Sequence, residues 1–256
     1  MKNKISIKSA SDMKIMVECG KKLLKVKKAL IEKVQVGVFA AEIENLADKL
    51  IKKGGGKASF KMVPGYSWAT CVNVNSGVVH GIPHKHIEFK KGDVVSIDVG
   101  IFYKGFHTDT SISVGLEVDK KTKQFLETGE HALSAAIREA VVGNRVHDIS
   151  RAIQDSVEGS GYQSIRALVG HGVGKSLHEG PQIPCFVMNG ANETPEIHEG
   201  MVFAIEVMYT MGNPKIKIDK DGWTISTRDG KISALFEETV AITKKGPIVL
   251  TREANL

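Results

Sequence analysis

Apolar residues recur at helical spacing over residues 10–33, where Met13, Met16, Val17, Leu23, Leu24, Leu30 and Ile31 share one side of a predicted helix. A second helix is predicted over about 39–53, with Ile43, Leu46, Ala47, Leu50 and Ile51 on one face and Gly54-Gly55-Gly56 as its stop. Short apolar or alternating runs then predict strands in the 70s, at 93–101 and at 107–114. Helical spacing returns near 122–142, through Phe125, Ala132, Leu133, Ala136, Ile137 and Ala140, and again at 146–158. The rest of the chain reads as strands and loops, with strands at 166–171, 201–209, 223–227 and 233–242, the last closing on Lys244-Lys245-Gly246-Pro247. Helices gather between groups of strands without regular strand–helix alternation, which predicts an α+β fold on a largely antiparallel, curved sheet.

Acids interrupt this pattern where burial disfavours them. Asp98 lies in Val-Val-Ser-Ile-Asp-Val-Gly, Asp109 in Phe-His-Thr-Asp-Thr, Glu206 in Val-Phe-Ala-Ile-Glu-Val-Met and Glu237 in Ala-Leu-Phe-Glu-Glu-Thr-Val. A lone carboxylate in a buried strand is costly unless a partner offsets its charge. Several of them in one chain point to a shared cation. Four carboxylates balance two divalent ions, and one imidazole, that of His171 in Val-Gly-His-Gly-Val-Gly, suits a site of mostly oxygen ligands. The expectation is a dinuclear metal centre. The chain also repeats itself: Gly92-Asp-Val-Val-Ser-Ile-Asp98-Val resembles Gly200-Met-Val-Phe-Ala-Ile-Glu206-Val, and each is followed by a further acid before a threonine. Because strand side chains alternate, Glu237 and Glu238 face opposite ways, and the residues alone leave open which one meets the ions.

Composition narrows the class. A chain of 256 residues with 42% hydrophobic and 25% charged residues buries a substantial core. No apolar run reaches the roughly 20 residues needed to span a bilayer, and the lysine-rich start lacks the apolar core of a signal peptide. Three cysteines (Cys19, Cys71, Cys185) without Cys-x-x-Cys spacing argue against a disulfide framework and for a reducing, cytoplasmic setting. The net charge of +6 is concentrated in residues 1–33, where ten lysines oppose Asp12, Glu18 and Glu32. That basic segment is either a solvated helix face or a contact for nucleic acid such as ribosomal RNA.

Three histidines sit in glycine- and proline-flanked runs: His80 in Val-Val-His-Gly-Ile-Pro, His171, and His178 in Leu-His-Glu-Gly-Pro. Other catalytic templates do not fit the chain. It has no His-Glu-x-x-His helix, no phosphate loop and no Gly-x-Ser-x-Gly elbow.

Taken in order, Val-Asn-Val-Asn-Ser-Gly-Val-Val-His80-Gly-Ile-Pro, Asp98-Val-Gly, Gly-Phe-His-Thr-Asp109-Thr, Gly-His171-Gly-Val-Gly, His178-Glu-x-Pro, Ile-Glu206 and Glu237-x-Thr resemble the motifs of type I methionine aminopeptidases over about residues 10–250. With no N-terminal zinc-binding extension, the chain looks like the short bacterial-type form. The resemblance implies a pita-bread fold, with two pseudo-symmetric halves forming a single metallo-aminopeptidase domain over 1–256. It also implies removal of the initiator methionine from nascent chains whose second residue is small. It selects Glu237 over Glu238. By position, Asp98 would hold one metal, His171 and Glu206 the other, and Asp109 and Glu237 both; the pair could be Co, Mn, Fe or Zn. Glu206 would take the proton of the attacking water, His178 would contact the scissile carbonyl and His80 the leaving nitrogen. Tyr66, Cys71, Leu177 and Trp223, with His80 at the edge, would receive the methionine side chain.

Three positions depart from the family pattern: Leu177 where an aromatic residue is usual, Val207 in place of proline, and Gly180 in place of a larger residue. They bear on selectivity and rate. Prolidase and aminopeptidase P share the fold and five ligands but usually carry an added N-terminal domain. Other members have lost ligands and serve as binding modules. The chain is expected to act as a monomer on nascent peptide N-termini, with no membrane attachment; ribosome contact through the basic helix stands as the alternative to a solvated face.

Overall fold

The computed structural model describes residues 5–188, 190 and 193–253. Two helices come first. Helix α1 (Ala10–Lys33) starts at a reciprocal cap: Ser9 Oγ accepts from the Asp12 amide, and Asp12 accepts from the Ser9 amide at 3.0 Å. Its buried stripe runs Met16, Cys19, Leu23, Val26, Lys27 and Leu30. Helix α2 (Ala40–Lys53) buries Ala40, Ile43, Ala47 and Ile51 and ends where the Gly54 amide bonds the Leu50 carbonyl.

The strands that follow are β1 (Lys57–Ala58), β2 (Thr70–Val74), β3 (Gly77–Val79), β4 (Val94–Tyr103) and β5 (Phe106–Gly115). Helices α3 (Lys120–Glu139) and α4 (Val146–Gly159) separate them from β6 (Gln163–Ser164), β7 (Val169–Gly172), β8 (Glu179–Pro184), β9 (Val202–Thr210), β10 (Ile216–Ile218), β11 (Ile225–Thr227), β12 (Ser233–Thr243) and β13 (Gly246–Val249). The main sheet runs β1-β4-β5-β12-β9-β7-β8, and its strand pairs are antiparallel. A smaller sheet, β10-β11-β3, flanks it.

The two repeated segments become matching strands. Gly92 and Gly200 each precede one, at φ +89° and +84°, a left-handed turn geometry that glycine adopts without strain. Strands β4 and β5 form the long hairpin of one half, and β9 and β12 pair in the other. Between the halves, β5 and β12 share a single registered pair, Ser111 with Glu237.

Side-chain alternation gives the sheet two unlike faces. Val95, Ile97 and Val99 of β4 pack into a core with Cys19, Leu23 and Leu30 of α1 and Ile43 and Ile51 of α2. Phe203, Ile205 and Val207 of β9 and Phe236 of β12 pack with Phe125 and Leu133 of α3 and Ile149 and Ile153 of α4. The helices therefore cover one face, and the other is left for chemistry. The three cysteines are buried and free.

Most predicted elements recur within a few residues. Helix α3 stops at Glu139 rather than near 142, because the Asn144 side chain donates to the Glu139 carbonyl and Gly143 turns left-handed. Strand β11 begins at Ile225 rather than 223, because the Asp221 carboxylate accepts the amides of Trp223 and Thr224 at 2.9 and 2.8 Å. The sequence pattern does not anticipate strands β1, β6, β8, β10 and β13; at two to six residues they carry too little pattern to read.

Ile97 is 1% exposed and points away from its neighbour Asp98. Replacing it with alanine should lower stability by about 2–5 kcal/mol. Denaturant midpoints measure the loss, and divalent-ion affinity should remain unchanged.

Candidate metal centre

Register lines up the acids. Asp98 pairs with Ser111, Ser111 with Glu237, and Glu237 with Glu206, so one row crosses β4, β5, β12 and β9; Cys71 on β2 extends it beyond Asp98. Directly opposed residues of antiparallel strands point to the same side. Asp109 lies two residues from Ser111, on that same face. His171 pairs with Ala204, two residues from Glu206, and so joins it from β7. Asp109, His171 and Glu237 bring ligand atoms within 4.8 Å of one another. Asp98 and Glu206 lie outside that tightest trio but line the same cavity of about 310 Å³.

Glu238 takes the opposite face. Its carboxylate meets the Lys27 ammonium of α1, 2.8 Å away. The choice that sequence alternation left open therefore has a structural answer: Glu237 faces the cavity.

The site's electrostatics demand a cation. Asp109 and Glu237 are only 4% and 3% exposed, and no lysine or arginine is among the residues lining the cavity. Burial, foremost, pushes the Asp98 carboxyl up to about 7. Burial and the neighbouring carboxylates raise Asp109, Glu206 and Glu237 well above the ordinary range. Asp98 Oδ1 is buried without a hydrogen-bond partner. An orphaned carboxylate oxygen beside buried Asp109 and Glu237 and half-buried Glu206 is a donor set that fits hard divalent ions.

His171 is prepared as a neutral ligand. Its Nδ1 lies 2.9 Å from the Gly172 carbonyl, which only accepts, so Nδ1 carries the proton and Nε2 keeps a free lone pair. Burial, helped by His178, lowers its pKa to about 3, so it stays uncharged. The His171 and His178 rings meet edge-on at 4.6 Å. Gly172 is required by close approach: a Cβ there would lie 2.1 Å from the Gly180 carbonyl oxygen. That contact holds the His178 loop against β7. A buried ion pair between Lys8 and Glu179, 2.8 Å long, ties the same loop to the segment before α1.

Hydroxyls, rather than a continuous ladder, secure the seam between β5 and β12. The Asp109 amide donates to Thr239 Oγ1 at 2.9 Å, which donates back to the Asp109 carbonyl at 2.7 Å. Ser111 Oγ donates to Glu237 Oε2 at 2.8 Å. Both hold acids that face the cavity.

The opposite wall is apolar. Phe60, Tyr66, Cys71, Ile82 and Leu177 form a cluster against Val63, Trp68 and Trp223. Tyr66 donates its hydroxyl to the Thr70 carbonyl and stands edge-on to Trp223 at 5.1 Å. Burial raises the Cys71 thiol, with Asp98 adding to the effect, so it stays protonated. His80 closes β3 in a left-handed conformation, φ 58°, which turns it into the cavity mouth. Burial lowers the pKa of both His80 and His178.

The cavity thus gathers all eleven candidate residues named from the sequence. It also enlists Phe60, Val63, Val79, Ala167, Leu168, Val169 and Met208, which nothing in their local sequence distinguishes from ordinary core.

Asp98 supplies a pH test. Its raised pKa means the metal-free fold binds more protons than the unfolded chain, so this group's contribution to stability falls as pH rises from the usual carboxylate range through about 7. Metal-free Asp98→Asn should therefore exceed the parent in Tm at pH 8 and approach it near pH 4, as read by calorimetry.

Comparison with known proteins agrees with this geometry. Residues 14–244 match the model of metallopeptidase family M24. A methionine aminopeptidase of Clostridium perfringens is 39% identical over 248 residues, covering 96% of this chain and 98% of that one. The crystal structure of a methionine aminopeptidase from Thermotoga maritima superposes with a TM-score of 0.94 at 39% identity, over 98% of this chain and 100% of that one. A prolidase from Pyrococcus furiosus shares the fold at a TM-score of 0.78 and 22% identity; the match spans 97% of this chain but 66% of the prolidase. The chain belongs to metallopeptidase family M24 and, within it, to the methionine aminopeptidases.

Proposed function

We infer that the chain removes N-terminal methionine by metal-assisted hydrolysis of the first peptide bond, acting on nascent polypeptides whose second residue is small. The observation that carries this is the division of one cavity into a carboxylate-and-histidine floor and an apolar, aromatic wall. A thioether side chain suits the wall, and the bond to be cut then falls over the floor. The methionine aminopeptidases match at 39% identity and the prolidase at 22%, which favours methionine over proline chemistry.

In this reading Asp98 would hold one divalent ion, His171 and Glu206 the other, and Asp109 and Glu237 would serve both. When bound, such ions polarise the carbonyl and lower the pKa of water toward neutrality. The chain's own groups do the rest. Glu206, raised by burial, receives the proton of the attacking water. His178 lines the cavity and has an N–H to donate to the carbonyl oxygen as its charge develops. His80 reaches the peptide nitrogen that leaves as an amine. Tyr66, Cys71, Leu177 and Trp223 enclose the methionine side chain. With leucine at 177 the wall is less aromatic than in the family pattern, which loosens its grip on that side chain.

Nascent chains place the work in the cytoplasm, and no helix of the described residues is long and apolar enough to cross a membrane. Contact with the ribosome would fall to Lys14, Lys21 and Lys25, since Lys8 and Lys27 are engaged in buried ion pairs.

Metal-free protein should release no methionine from Met-Ala-Ser and should regain activity with Mn or Co, leaving Ala-Pro-Ala uncut. Cleavage of Ala-Pro-Ala would move the chain to the proline-specific branch. Glu206→Gln should lower kcat, and His178→Ala should cost about 10²–10³ in kcat if it serves the oxyanion. Amino-acid release under saturating metal measures both.

A further inference from the structure

The far side of the same two strands holds a buried charge cluster that the catalytic reading leaves unused. Lys27 sits in the buried stripe of α1, 7% exposed. Its ammonium donates to Glu238 Oε1 and Oε2 at 2.8 and 2.9 Å and to Thr110 Oγ1 at 3.0 Å. Three N–H donors thus meet three oxygens, two from β12 and one from β5. An ammonium cannot accept, so the Thr110 hydroxyl directs its own proton away, to the Glu237 carbonyl at 2.8 Å, with Glu238 Oε2 a longer alternative at 3.3 Å. Glu238 also accepts from Thr251 Oγ1 and from Arg252 Nε.

The two residues gripped by Lys27 have telling neighbours. Thr110 follows Asp109, and Glu238 follows Glu237. These are the two carboxylates assigned above to both ions, and they come from strands that share one registered pair. A backbone ladder therefore does little to set their separation. Side chains bridge the seam instead, and among those bridges Lys27 alone engages both strands with one charged group. Groups behind a ligand shell commonly tune metal affinity by holding the ligands in place.

We propose that Lys27 is a positioning residue for the metal centre, clamping Thr110 and Glu238 from behind so that the Asp109 and Glu237 carboxylates are held at the spacing that binds divalent ions. This rests on the reading of the cavity as a metal centre. Lys27 touches neither substrate nor ion; it acts through the two strands.

The test separates positioning from mere support of the fold. A buried ion pair replaced whole by neutral groups of similar shape is often neutral for stability, whereas removing Lys27 leaves the buried Glu238 carboxylate with the half-exposed Arg252, 3.2 Å away, as its remaining cation. Lys27→Met should therefore lose both Tm and metal affinity. The double variant Lys27→Met/Glu238→Gln should recover Tm yet still bind Mn²⁺ about 10–100-fold more weakly than the parent. Calorimetric titration of the metal-free full-length chain with Mn²⁺ reads affinity, and the visible absorption of the Co²⁺-loaded protein should differ from the parent as the ligand geometry relaxes. Should Lys27→Met fail to fold, the double variant carries the test. Parent-like Mn²⁺ affinity and Co²⁺ spectrum in the double variant would overturn the proposal alone. A parent chain that binds neither ion would overturn the metal-centre reading, and this proposal with it.

Discussion

Four carboxylates crowded on one face of a sheet, Asp109 and Glu237 buried and Asp98 and Glu206 half-buried, repel one another, and the rest of the molecule is arranged around that repulsion. Asp98, Glu237 and Glu206 fall in a single cross-strand row, with Asp109 one step along the pleat. In a low-dielectric setting such a cluster holds protons or cations. In the metal-free chain burial raises the pKa of all four acids, and for Asp109, Glu206 and Glu237 the neighbouring carboxylates add to the rise. Divalent ions would answer the repulsion with more charge, and Asp98 Oδ1, which has no hydrogen-bond partner, suits that donor set.

A cluster this unfavourable needs a rigid frame, and the opposite face of the sheet provides it. Every second residue of β4 and β9 is apolar and buried under helices, so the acids stand on strands anchored by two hydrophobic cores. The seam between β5 and β12 is the exception. There the ladder thins to one pair, and hydroxyls of Thr110, Ser111 and Thr239 bridge the strands. Hydroxyls both donate and accept, so they can join a backbone carbonyl on one side to a carboxylate or ammonium on the other. The halves of the fold thus meet through polar side chains at the very place where their acids converge.

Function follows from placing unlike surfaces against each other. The cavity sets an acidic floor against the Phe60–Tyr66–Trp223 wall, which offers only apolar and aromatic contact. His80 and His178 stand near the boundary, where an N–H can be offered to a substrate. The His178 loop owes its position to tertiary contacts: Gly172 admits the Gly180 backbone, and Lys8 holds Glu179.

The chain's order of apolar residues was enough to place its four helices and long strands, and the misplacement of acids in those strands was enough to mark the site. Alternation explains why: a carboxylate inside an apolar strand has to face something other than core, whatever the fold. The seven cavity residues from Phe60 to Met208 were illegible because an apolar side chain lining a pocket has the same local pattern as one in a core. Lysines misled for a related reason. Lys27 reads as one more soluble residue of a basic helix, yet it is buried against Glu238, a partner 211 positions away. Periodicity reports that a residue shares a face with its neighbours; only the packed structure decides what that face meets. So it was with Glu237 and Glu238. Alternation required them to part, and the docking of α1 against one side of β12 decided which of them became available to a metal.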